Sequence, residues 1–215
     1  MAATVTNILV SIIAFCVLAA IAGVVVLTAL AATGDVSDSD GCRSDVADAA
    51  GQHEVRGVNS EATLADAWQA KWQTFDAQLD AGQPATVSFT ESEATSRAQR
   101  FIDSKEAPVT DLKLCFHGGV AEATGNVDLP ILADLPGIGD SLDSNVRARG
   151  TMDFSGSHPR IVIAEIEAGN LPAEAAERLK GRIEGVINDR LDDLQLQHKL
   201  SAEFTEGGIE ISGTP

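Results

Sequence analysis

The apolar and polar positions change period several times along the chain, and each change marks an element. No charged side chain occurs between Met1 and Gly34, and Ile8 to Ala32 is an almost unbroken apolar run. As a helix, those 25 residues at about 1.5 Å each extend roughly 37 Å, enough to cross a hydrocarbon core of about 30 Å with some tilt. Ser11 and Thr28 can bond back to carbonyls of their own helix and do not prevent insertion. A cleaved signal peptide is the competing reading, since Ala29-Leu30-Ala31 has the small-x-small form of a cleavage site. The run is longer than the roughly 7–15 residues of a signal h-region, and no Lys or Arg precedes it. Residues 1–34 are read as a transmembrane anchor, with the short uncharged N-terminus inside and the rest outside the cytoplasmic membrane.

Residues 35–59 are rich in Asp, Ser, Gly and Ala, lack apolar periodicity and read as an acidic flexible linker. Asp35, Asp38 and Asp40 before Gly41 faintly resemble a calcium loop, but Val36 and Ala47 stand where its first and last ligands belong. Ser60 is placed to cap an amphipathic helix within 60–82. Its apolar residues Leu64, Trp68, Trp72, Phe75 and Leu79 step by three or four and form one stripe. That stripe packs against the domain or a partner, or sets both tryptophans in a membrane-surface belt.

Residues 83–215 carry the pattern of an α+β domain. A short strand at Val87-Ser88-Phe89 leads into the capping box Thr90-Glu91-Ser92-Glu93 and a helix to about Asp103. Alternating runs follow at 111–116 and, after the Gly118-Gly119 turn, at 121–128. Another covers 145–154. Arg160–Glu167 is apolar on both faces, as expected of a strand covered on both sides. A long helix is expected at 171–194, opened by Gly169-Asn170-Leu171-Pro172. Two strands joined at Gly207-Gly208 close the chain. Strands alternating toward one apolar face need a cover, so the expected fold is a strongly curved antiparallel sheet wrapped around the long helix, a half-barrel.

That arrangement sets an apolar sheet face, Leu112, Leu114, Phe116, Ile161, Ile163, Leu200 and Phe204, against a helix face, Leu179, Ile183 and Ile187. Gly181 and Gly185 lie one turn apart inside the helix, where each costs about 1 kcal/mol against alanine. Close approach of the sheet explains them, as does a smooth groove for an acyl chain. The apolar loop 128–139 either caps the core or forms the mouth of a lipid site.

Composition narrows the function. The formal net charge of -17 opposes binding to nucleic acid phosphates or to anionic lipid surfaces. The four histidines have no HxxxH-type spacing, so no metal site is expected. Ser155-Gly156-Ser157-His158 lacks a nucleophile elbow, and Gly137-Ile138-Gly139 is not a dinucleotide fingerprint. The expectation is a protein with no cofactor and no catalysis. Of the three cysteines, Cys16 falls in the anchor. Cys42 and Cys115 could pair in an oxidising compartment, but Cys115 reads more simply as a plain strand residue.

Segment 86–215 resembles the bacterial membrane-anchored LmeA-like phospholipid-binding family and, more distantly, the YpmS type. The resemblance is carried by Phe89-Thr90-Glu91-Ser92-Glu93, the Gly118-Gly119 hairpin, Arg160–Glu167 leading into Gly169-Asn170-Leu171-Pro172, and the closing pair 204–213. It implies a lipid-binding half-barrel outside the cytoplasmic membrane, with no catalytic residue to carry over. Two readings follow. One is a membrane-tethered lipid-binding module that touches the bilayer through residues 8–32 and takes a phospholipid or other apolar ligand. The other is a structural or scaffold domain of the envelope with a fully packed core that binds protein partners.

Overall fold

In a computed structural model the described residues are 42–47, 53–104, 109–128, 143–154, 158–168 and 198–215, with helical residues at 177, 180, 181, 184, 185, 188, 189, 191 and 192. The elements are β1 (Cys42–Ala47), β2 (His53–Arg56), α1 (Ala62–Asp80), β3 (Ala85–Thr90), α2 (Glu91–Ser104), β4 (Val109–His117), β5 (Val120–Asp128), β6 (Asp143–Asp153), β7 (Arg160–Ala168), β8 (Lys199–Thr205) and β9 (Gly208–Thr214). The apolar run 8–32, the loop 129–139, Leu179, Ile183 and Ile187 lie outside the described residues. Among the described residues no helix is long and apolar enough to cross a membrane.

The class is α+β, as expected, but the strands form two larger antiparallel sheets rather than one: β3-β9-β8 and β4-β5-β6-β7, besides the hairpin β1-β2. The first sheet pairs the start of the domain with its end. Its inner face carries the cross-strand rows Phe89–Ile209–Phe204, Val87–Ile211–Ala202 and Ala85–Gly213–Leu200. Helix α1 lies on that face. Trp68 stacks on Phe89 with ring centroids 3.5 Å apart, and Trp72 contacts both Phe75 and Phe89. Both tryptophans are buried, so the stripe belongs to the core and not to a membrane belt. Gly213 is there because a Cβ on it would meet Leu79 Cδ1 at 2.7 Å and Phe75 Cζ at 2.9 Å. Ser60 does not cap α1. Glu61 is the N-cap, without a side-chain cap bond, and its own N–H donates to Ser96 Oγ of α2.

The capping box forms as the sequence predicts. Thr90 N–H donates to Glu93 Oε2 at 2.9 Å, and Glu93 N–H donates to Thr90 Oγ1 at 3.2 Å. Buried Glu93 also pairs with Lys71 of α1 at 2.7 Å, which ties the two helices together. The turns at Gly119 and Gly207 use left-handed backbone, φ 83° and 81°, which glycine adopts without a Cβ clash. The tips of these hairpins join the sheets. Gly119 N–H donates to Phe204 O at 2.9 Å, Gly207 N–H donates to Phe116 O at 3.0 Å, and Phe116 stacks on Phe204 with centroids 5.5 Å apart.

The acidic segment read as a flexible linker contains β1 and β2, which pair through Cys42↔Arg56 and Arg43↔Val55. A disulfide joins Cys42 to Cys115, so Cys115 is not the plain strand residue its surroundings suggest. An isolated two-stranded hairpin is marginal in water. This one is held by a covalent link to β4 and by the ion pairs of Arg56.

Candidate functional site

The two faces of the four-stranded sheet differ sharply. One face carries Glu122, Arg147, Arg149, Glu165 and Glu167, with Arg147 paired to Glu122 at 2.7 Å and to Glu167 at 3.6 Å. Its hydrogen bond to Glu122, aided by the surrounding carboxylates and opposed by desolvation, holds the Arg147 guanidinium above its ordinary pKa. The other face carries the rows Phe116–Ala121–Gly150–Ile163 and Leu114–Ala123–Ala148–Ile166. In these two rows large residues stand at both margins and small ones in the middle. Leu112, Leu114 and Phe116 of β4 form one wall and Ile163 and Ile166 of β7 the other, all buried. The floor, Ala121, Ala123, Ala148 and Gly150, is half-buried. In these two rows the bulk is at the edges and the small residues between them form a trough, which ends at buried Val146 in the next row, Gly125–Val146–Ala168.

Local irregularities shape these walls. Residue 111 has φ 53° at a register shift in β4, a bulge that bends the strand. In β7 the register shifts between Arg149↔Glu165 and Gly150↔Ile163, leaving Ala164 without a direct partner. That extra residue brings Ile163 and Ile166 onto the same buried face although they are three apart. It also overturns the expectation of a strand covered on both sides, because Val162 is 49% exposed. Gly150 is needed there, since a Cβ on it would meet Val162 O at 2.7 Å.

Of the residues expected to line a lipid site, Leu112, Leu114, Phe116 and Ile163 meet on the trough face. Ile161, half-buried, follows at the end of β7 in register with Met152. Phe204 reaches the trough from the other sheet by stacking on Phe116. Leu200 does not reach it. It shares a row with Gly213 beneath Leu79 and Phe75, inside the α1-covered core. Gly181 and Gly185 are exposed, and among the described residues nothing lies within 4 Å of a Cβ built on either. Close approach of the sheet, expected from those glycines, is not found.

Both edges of this sheet are covered by helical side chains rather than by strands. On β4, Leu114 N–H donates to Thr95 Oγ1 at 2.9 Å and Phe116 N–H to Glu91 Oε1 at 2.8 Å, from α2 residues one turn apart. On β7, Asn188 receives Ile161 N–H at 2.8 Å and returns Nδ2–H to Ile161 O at 3.0 Å. Ile163 N–H donates to Glu184 Oε1, and Lys180 Nζ donates to Ala164 O. Lys180, Glu184 and Asn188 step by four, so one helical row follows one strand edge. An uncovered edge is a template for pairing with another chain. The amphipathic pattern predicted a helix near β7 but not this role for its polar row.

A polar joint lies where the two sheets and the hairpin meet. Arg56 contacts Glu91 through Nε at 3.0 Å and Nη2 at 2.7 Å, pairs with Glu206, and donates to Phe116 O at 3.2 Å. Hydrogen bonding to Glu91, then to Glu206, raises the Arg56 pKa above its ordinary value against the opposing cost of burial. Glu91, 5% exposed, serves three elements: its own helix, the β4 edge and the β2 arginine. The nearby trio Cys42, Glu91 and Cys115 has the proximity of a metal site, but both sulfurs are spent in the disulfide and are neither thiolate ligands nor nucleophiles.

No protein-family model matches the chain, and no curated protein matches it.

Proposed function

We propose that the protein is a membrane-tethered, extracytoplasmic and non-catalytic module that holds a phospholipid or similar apolar ligand in the trough of the four-stranded sheet. The observation that carries this reading is the half-buried floor of Ala121, Ala123, Ala148 and Gly150 between walls of buried Leu, Phe and Ile. Lipid sites are concave and mostly apolar, with few polar groups. Among the described residues, the charged outer face and the covered edges leave the trough as the apolar surface of this sheet for a ligand. The half-barrel reading assigns the other wall to Leu179, Ile183 and Ile187, which are outside the described residues.

The placement outside the cytoplasm draws on two features. Ile8–Ala32 has the length and composition of an anchor, and disulfides persist in oxidising compartments. The resemblance of 86–215 to LmeA-like domains points the same way. Native mass spectrometry of the full chain released from mild detergent tests the proposal. A reproducible adduct of diacyl-lipid mass is expected. A bare mass would favour the scaffold reading, in which the trough is filled by the chain itself.

A further inference from the structure

We infer that edge strand β8 pairs with β8 of a second copy of this chain, joining two three-stranded sheets into one continuous sheet. This does not rest on the lipid reading. In the two larger sheets the other edges are covered. Side chains of α2 take up the β4 edge, and the row Lys180, Glu184 and Asn188 takes up the β7 edge. On β3, Thr90 N–H donates to Glu93 Oε2, and Lys71 Nζ donates to Ser88 O at 3.1 Å. Strand β8 differs. Phe204 O accepts Gly119 N–H, so the Phe204 backbone faces away from β9. The two-residue repeat of an antiparallel ladder turns Ala202 and Leu200 the same way. Among the described residues nothing bonds the outward N–H or C=O of either one. Such a row of groups is a template for another strand.

Charge selects both the occupant and the register. Lys199, Ser201 and Glu203 are exposed on the sheet face opposite α1. Among the described residues neither Lys199 nor Glu203 has an ion-pair partner. Glu203 also stands directly opposite Glu210, a like-charge pair that costs stability. A two-fold axis through Ser201 sets Lys199 opposite the partner's Glu203, and Glu203 opposite the partner's Lys199. The same register sets Leu200 opposite the partner's Ala202, and the reverse, so each of these pairs exchanges both of its outward N–H···O=C bonds. An axis through Ala202 would set Lys199 opposite the partner's Thr205, and one through Leu200 would set it opposite the partner's Ser201. Either slip loses both ion pairs and flips the faces on which side chains meet the ladder. One short strand thus carries both signs in self-complementary order, as an isologous interface requires.

The test uses the full chain in mild detergent, with its oligomeric state read by sedimentation equilibrium in buffer matched to the detergent's density. The parent should be dimeric. Lys199→Glu and Glu203→Lys each turn both ion pairs into like-charge contacts and should weaken the dimer roughly tenfold. Mixed in equal amounts, the two variants regain opposite charges at both contacts and should associate as the parent does. Both positions are exposed, so the fold should hold, checked by circular dichroism. In a Cys16→Ser background, Ser201→Cys should form a disulfide dimer on mild oxidation, because the two-fold axis sets the two copies of position 201 face to face. Ser88→Cys, on the opposite edge strand, should not. A monomeric parent, parental affinity in either charge variant, a mixture that stays dissociated, or cross-linking of Ser201→Cys no faster than of Ser88→Cys would overturn the pairing.

Discussion

Replacing Cys42 and Cys115 by alanine should remove about 4 kcal/mol of stability. The disulfide closes a loop of sequence separation 73, and the chain-entropy relation gives roughly 4 kcal/mol for a loop of that size. Cys42 and Cys115 are 0% and 2% exposed, so lost packing adds to the loss rather than offsetting it. The figure is large against a typical total of about 5–15 kcal/mol. It should be read by urea unfolding of the full chain in detergent, comparing the parent, each single variant, the double variant and the reduced parent. All four altered forms lack the same cross-link and should fall together, within about 1 kcal/mol. The slope against urea should rise when the cross-link is lost, because the unfolded chain becomes less compact. Hydrogen exchange should show the amides of 42–47 losing protection well before those of β8 and β9, since a lone hairpin holds itself poorly. A loss below about 1 kcal/mol with unchanged protection at 42–47 would show that the hairpin is held by other contacts.

Other substitutions probe the remaining joints. Thr95→Val keeps the shape but leaves the buried Leu114 N–H without its acceptor, so unfolding should show a loss of about 1–3 kcal/mol. Gly213→Ala forces a Cβ against Leu79 and Phe75 and should lower stability by about 1–3 kcal/mol, read as a lower midpoint in the same titration. Gly181→Ala and Gly185→Ala meet open space and should each stabilise by up to about 1 kcal/mol; a drop in midpoint would place an unseen neighbour there. Asn188→Ala uncovers Ile161 N–H and O on the β7 edge, so sedimentation should reveal concentration-dependent association.

Much of the order of elements was legible because local chemistry decides it. The Thr90–Glu93 box, the Gly118-Gly119 and Gly207-Gly208 turns, and the alternation of Ala121, Ala123 and Gly125 with Glu122, Thr124 and Asn126 act within a few residues. The four trough residues of β4 and β7 followed from the same period of two. What the pattern missed depends on distant partners. Nothing near Cys42 marks it as a strand residue, because its partner is far along the chain at Cys115. Glu91 and Thr95 look like solvated helix positions, yet they are buried because β4 presents its backbone N–H groups to them. One sheet or two could not be told from alternation, since Leu200 and Leu112 carry the same signal although one faces α1 and the other the trough. Ala164 shifts the phase of β7 by one residue, a change that no periodicity count anticipates.

Lipid occupancy compared between the parent and Ala148→Leu tests the central claim most directly. Ala148 lies mid-floor, between Ala123 and Ile166, where leucine fills the trough with apolar volume alone. Both proteins would be isolated from the same membranes and their bound lipid quantified per chain, with unfolding midpoints measured alongside. The account predicts near-stoichiometric lipid on the parent, at least a tenfold lower occupancy on Ala148→Leu, and a midpoint that holds or rises. A lipid-free parent, or a variant that binds as the parent does while losing the roughly 1–3 kcal/mol of an overpacked core, would contradict it.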